Sequence, residues 1–132
     1  MGTLVVGYVP KPEGEAALRA AVAEAKLRGA SIVVVSSHRG GAGYDGEQSM
    51  EAEAEVERVR EILSGADVEF DVRHLVRGFE PAEDILSIAE ASGAELIVIG
   101  LRRRSPVGKL VMGSNSQRVL LDAKCPVLTV KA

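Results

Sequence analysis

The sequence predicts an α/β fold, a single domain built on an open, parallel, five-stranded sheet with helices on both faces. Three observations carry this expectation. The apolar runs Leu4-Val-Val6, Ile32-Val-Val-Val35 and Leu96-Ile-Val-Ile99 are continuous, which marks strands buried on both faces. Segments of helical periodicity separate them, so strand and helix alternate along the chain. The 132 residues are 46% hydrophobic and only 3% aromatic, so Val, Leu, Ile and Ala must form the one core that this length supports.

The elements follow in order. Residues 3–8 read as the first strand. Residues 12–28 read as a helix with Leu18, Val22, Ala25 and Leu27 near one face, and Gly29 is placed to end it. Residues 31–36 form a second buried strand, followed by a glycine-rich loop over 38–46. Residues 47–64 form a charged helix with Val59, Ile62 and Leu63 inward. Residues 68–76 alternate apolar and polar, as an edge strand does. Residues 81–92 form a third helix that opens on Pro81, a favoured first-turn position. Residues 96–99, 114–123 and 127–130 complete the pattern as strand, helix and strand. No internal repeat, linker or low-complexity stretch interrupts it.

Composition excludes several classes of function. The net charge is −3, whereas a general nucleic-acid surface carries a basic stripe. Cys125 is the only cysteine, so neither an internal disulfide nor a cysteine metal cluster can form. Its place beside Pro126 reads as a buried structural thiol. His38 and His74 are far apart and lack metal-ligand spacing. The acidic tract Asp45, Glu47, Glu51, Glu53, Glu55, Glu57 reads as a solvated helix face. No G-x-S-x-G is present. No apolar run is long enough to span a membrane and no leader is apparent, so the expectation is a cytoplasmic protein with no membrane or nucleic-acid partner.

The most informative stretch is Gly100 to Ser116, Gly-Leu-Arg-Arg-Arg-Ser-Pro-Val-Gly-Lys-Leu-Val-Met-Gly-Ser-Asn-Ser. It lies between an apolar strand and an amphipathic helix, and Ser114 with Gln117 fits a capping box. The first amides of such a helix lack intrahelical partners, and the helix dipole favours an anion there. A phosphate site at residues 113–116 is the chemical expectation. Arg102, Arg103 and Arg104 carry planar donors suited to phosphate oxygens; one of them is expected to take part, against the plain alternative of a solvated loop. Gly41 to Gly46 matches G-x-G-x-x-G, but the strand before it ends too early for a dinucleotide turn, so a surface loop is the better reading. A Walker A loop around Gly108-Lys109 is excluded, because Arg103 and Leu110 stand where Gly and Ser or Thr are required.

The same stretch resembles the Gly-x2-Gly-x9-Gly-Ser/Thr signature of the universal stress protein family. Gly100, Gly113 and Ser114 match it, while Arg103 stands at the second glycine. Leu4-Val-Val-Gly7-Tyr8 with Glu15-Ala-Ala-Leu18, and Ala123-Lys-Cys125-Pro126-Val-Leu-Thr-Val130, are similar to the family's first and last blocks. The resemblance extends over residues 1–132. It implies strand order 3-2-1-4-5, with the ligand beyond the strand ends where that order reverses. It further implies an adenine nucleotide, ATP or AMP, and a role in stress sensing or regulation. The phosphates would sit on Gly100, Gly113, Ser114, Asn115 and Ser116, with Arg103 as a charged contact. The base would lie near Val9, Pro10 and Val35, and Mg2+ would arrive with a triphosphate. Val9 occupies a position that is acidic in nucleotide-binding relatives and cannot accept a bond from a ribose hydroxyl. Two other functions stay open: an interaction module of the same fold without nucleotide, and a slow ATPase, for which no base residue is evident. Enzymatic turnover is not expected. The short apolar strand Val127-Leu-Thr-Val130, last in the sheet, is an edge that invites pairing with a second copy about a twofold axis, so a homodimer is expected.

Overall fold

The computed structural model describes residues 2–38, 46–76, 80–103, 110–111 and 113–132. The G-x-G-x-x-G run other than Gly46, and Arg104, Gly108 and Lys109, lie outside the described residues. The elements are β1 (Thr3–Gly7), α1 (Pro12–Arg28), β2 (Ser31–His38), α2 (Gly46–Gly65), β3 (Phe70–Val76), α3 (Pro81–Ser92), β4 (Leu96–Arg103), β5 (Leu110–Val111), α4 (Ser114–Asp122) and β6 (Val127–Lys131). Five parallel strands run β3-β2-β1-β4-β6 across the sheet. This is the expected order, with β6 as the fifth parallel strand.

Alternate residues of each buried strand feed opposite faces, as the pleat requires. Leu4, Val6, Ile32, Val34 and Val98 pack under α1 and α2 with Leu18 and Leu63. Val5, Val33, Val35, Ile97 and Ile99 pack under α3 and α4 with Ile85 and Val119. Helix α1 buries Ala16, Ala17, Ala21 and Ala25, and these small side chains let its backbone come close to the sheet. Gly29 ends α1 at φ 63° and donates its N–H to the Ala25 carbonyl, as expected of a left-handed C-terminal glycine. Pro81 opens α3 in its first turn.

Three local expectations are corrected. Leu27 is 83% exposed and Ile62 is 37% exposed, because the buried stripes of α1 and α2 are carried by Leu18 and Ala25, and by Val59 and Leu63. Strand β4 continues past Ile99 to Arg103, since Arg102 and Arg103 pair with Val111 and Leu110 of the antiparallel strand β5. Strand β2 continues to His38 because β3 pairs along it as far as the His38–Val76 register. Among the described residues, no helix is long and apolar enough to cross a membrane.

Candidate functional site

A cleft of about 260 Å³ opens at the carboxyl ends of the strands, beside β1 and β4. The chain goes one way across the sheet from β1 and the other way from β4, so this is the switch point at which ligands of such folds bind. Helices α1, α3 and α4 each begin at this end of the sheet. Their N-terminal dipoles favour negative charge within it.

The back of the cleft is built by close backbone contact. A Cβ on Gly100 would collide with the Glu13 carbonyl, and one on Gly14 would collide with the backbone of Val9. Glycine at both positions lets the first turn of α1 lie against the ends of β1 and β4. The absence of a side chain at Gly100 therefore has a packing cause inside the chain.

Gly113 differs. It is the N-cap of α4 at φ −70° and ψ 166°, a conformation open to any residue. A Cβ added there would meet nothing within 4 Å among the described residues. Its carbonyl accepts the Gln117 N–H at 3.0 Å, the first helical bond. As the N-cap, Gly113 has no side chain to bond the first amides of α4, and Ser114, expected as the cap, is instead the first helical residue. The capping box expected from Ser114 and Gln117 is therefore not formed with Ser114 as the N-cap. An uncapped helix start keeps its amides for water or for a ligand.

The expected site residues are distributed as follows. Val9, Val35, Gly100, Gly113, Asn115 and Ser116 all line the cleft. Pro10 and Ser114 are exposed and do not belong to its wall. The side chain of Arg103 lies outside the described part, and Arg102 supplies the arginine of the wall. Val9 is 41% exposed and offers the cleft only an apolar surface. Val35 lies at the floor, and its carbonyl accepts the Tyr8 N–H at 3.0 Å. Asn115 also works within the chain: its Oδ1 accepts the Ala82 N–H at 3.0 Å. It thereby caps α3 from α4 and ties the two helix starts together.

Three polar residues here, Glu13, Ser37 and Asp84, were not anticipated from the sequence, whereas Arg102 belongs to the arginine cluster expected to take part. Glu13 and Arg102 place one carboxylate and one guanidinium in the wall. Ser37 lines the cleft too, and its hydroxyl donates to Asp84 Oδ2 at 2.5 Å. Asp84 is only 2% exposed. Its signal in the sequence was a charged residue on the apolar face of α3, between Pro81 and Ile85. On the α1 side, the Tyr8 hydroxyl lies 3.3 Å from both Glu15 Oε1 and Glu55 Oε1 and shares its one proton between them. Arg58 pairs with both of those glutamates. Burial first, and the Glu55 charge second, push the Tyr8 phenol above its ordinary pKa. Among the described residues, no group of three or more His, Cys, Asp or Glu could hold a metal ion. Cys125 is half-buried, less enclosed than expected, and burial raises its thiol pKa.

Comparison with known proteins places the chain in a family of this fold. The model of the universal stress protein family matches residues 1–131. A universal stress protein of Mycolicibacterium smegmatis is 40% identical over 128 residues, covering 97% of this chain and 96% of its own. The structure of a universal stress protein from Archaeoglobus fulgidus matches with a TM-score of 0.86 and 39% identity over 99% of both chains. A universal stress protein from the same organism, solved in complex with dAMP, matches with a TM-score of 0.80 and 33% identity, over 99% of this chain and 98% of that one.

Proposed function

Since the chain belongs to the universal stress protein family, we propose that it is a non-catalytic adenine-nucleotide-binding module that acts in stress sensing or regulation. The observation that carries this reading is Gly113. Neither its backbone angles nor its packing among the described residues requires glycine. A glycine at the uncapped start of a helix, facing a cleft, is explained by a ligand that approaches the backbone closely. The complex of a 33% identical relative with dAMP supports the choice of ligand.

In this reading the phosphates lie against the first turn of α4, at Gly113, Asn115 and Ser116, with Ser114 contributing its backbone. Arg102 or Arg103 adds a charged contact. The base lies between the ends of β1 and β2, against Val9 and Val35. Mg2+ accompanies a triphosphate. Two chains pair through β6, whose residues Val127 to Val130 are all only partly buried in the single chain, as an unpaired apolar edge would be.

Denaturing freshly purified protein and identifying the released small molecules tests the reading. An adenine nucleotide near one equivalent supports it. Absence of bound nucleotide, together with no binding of ATP, ADP, AMP or cyclic AMP at millimolar concentration, favours the second reading. That second reading is an interaction module without nucleotide, and the apolar Val9 in the cleft wall is the observation in its favour.

A further inference from the structure

The Ser37–Asp84 pair reaches further than a tie between β2 and α3. Ser37 lies two residues beyond Val35 and so on the same face of β2, toward α3. Strand β1 leaves the sheet after the Gly7–Val35 register, so the cleft opens beside Ser37, which lines it. Its hydroxyl has one proton, and that proton is spent on Asp84 at 2.5 Å. Asp84 is buried behind Ser37 and is no part of the cleft wall. It sits in the first turn of α3, where the helix dipole favours a carboxylate. A carboxylate only accepts hydrogen bonds. The direction of the Ser37 hydroxyl is therefore fixed, and its oxygen has only lone pairs to offer a ligand.

Resting on the nucleotide reading above, we infer that Ser37 is a specificity-determining residue. It accepts a hydrogen bond from the exocyclic amine of a 6-aminopurine, and Asp84 is the positioning residue that holds the hydroxyl in its accepting sense. A 6-oxopurine presents an acceptor at the same place, so two sets of lone pairs would face each other. A purine without a 6-substituent leaves the Ser37 oxygen unsatisfied. A site built around one polar group rejects ligands that lack its complement. The apolar neighbours Val9 and Val35 hold any purine ring, so the selection among purines falls to Ser37.

Calorimetric titration with ATP, ITP and the triphosphate of unsubstituted purine riboside tests this. The wild-type protein is expected to bind ATP about tenfold more tightly than either analogue, the scale of one hydrogen bond. Ser37→Ala should bring the three ligands to within about twofold of one another, and Ser37→Thr should restore the preference. Asp84→Ala frees the hydroxyl to donate, so ITP binding should strengthen relative to ATP; a merely structural role would weaken all three alike. Equal affinities in the wild type, or an ATP preference that survives Ser37→Ala, would overturn the assignment and leave nucleotide binding intact. If no purine triphosphate binds the wild type at millimolar concentration, the assignment and the nucleotide reading fall together. If the Asp84 variant does not fold, the two Ser37 variants still decide the matter.

Discussion

Gly100 faces the backbone carbonyl of Glu13 so closely that no side chain fits between β4 and the first turn of α1. That contact brings α1 down onto the sheet and sets the depth of the cleft. Gly100→Ala should therefore destabilise the fold by about 2–3 kcal/mol, the range of overpacking in a region that cannot yield easily. Urea denaturation checks it. A change below about 0.5 kcal/mol would show that the helix moves aside freely.

The two polar residues that follow Gly113 should separate in their effect on stability. Asn115→Ala removes the acceptor of the Ala82 N–H and should cost about 1 kcal/mol, as loss of a cap does. Ser114→Ala touches no cap and should stay within about 0.5 kcal/mol. Thermal or urea unfolding of the two variants checks the pair. The reverse ranking would restore Ser114 as the cap.

Tyr8 should make the fold sensitive to alkali. Its folded-state pKa is raised above the ordinary 10.0. The stabilisation is then complete below the unfolded pKa, and it is lost as pH rises through the folded value. Stability should fall as the pH is raised above about 10. Tyr8→Phe should lose about 1 kcal/mol at neutral pH and show a smaller alkaline decline. Urea midpoints at pH 8 and pH 11 check this, and an equal decline in both proteins would move the cause elsewhere.

Leu128→Lys should weaken the proposed dimer, because a charge on the apolar edge β6 opposes strand pairing. Light scattering at micromolar concentration should give a dimer mass for the wild type and a lower mass for the variant. A monomeric wild type would remove β6 as an interface.

Much of this fold was legible because the strands are buried on both faces. Ile32 to Val35 and Leu96 to Ile99 leave little alternative to a parallel sheet, and Gly29 and Pro81 punctuate the helices where expected. Leu27 and Ile62 were misplaced because the stripes of α1 and α2 rest mainly on small or widely spaced residues. An alanine-rich helix does not declare its buried face strongly. The extension of β4 to Arg103 depends on pairing with β5, which the residues up to Ile99 do not announce. The glycine-flanked loop pointed to the end of the molecule where the cleft opens. It did not separate Gly100, which a neighbouring backbone requires, from Gly113, whose backbone angles and packing among the described residues do not require glycine. The Ser37–Asp84 bond joins residues 47 apart in sequence and was visible only as two polar interruptions of apolar elements.

Gly113→Val tests the central claim most directly. The angles at residue 113 suit valine and its Cβ meets open space, so the fold should survive at a cost of up to about 1 kcal/mol from the poorer N-cap. Calorimetric titration with ATP and Mg2+ should show binding to the wild-type protein that falls at least tenfold, or vanishes, in this variant. Wild-type affinity in a folded Gly113→Val protein would contradict a nucleotide held at the start of α4.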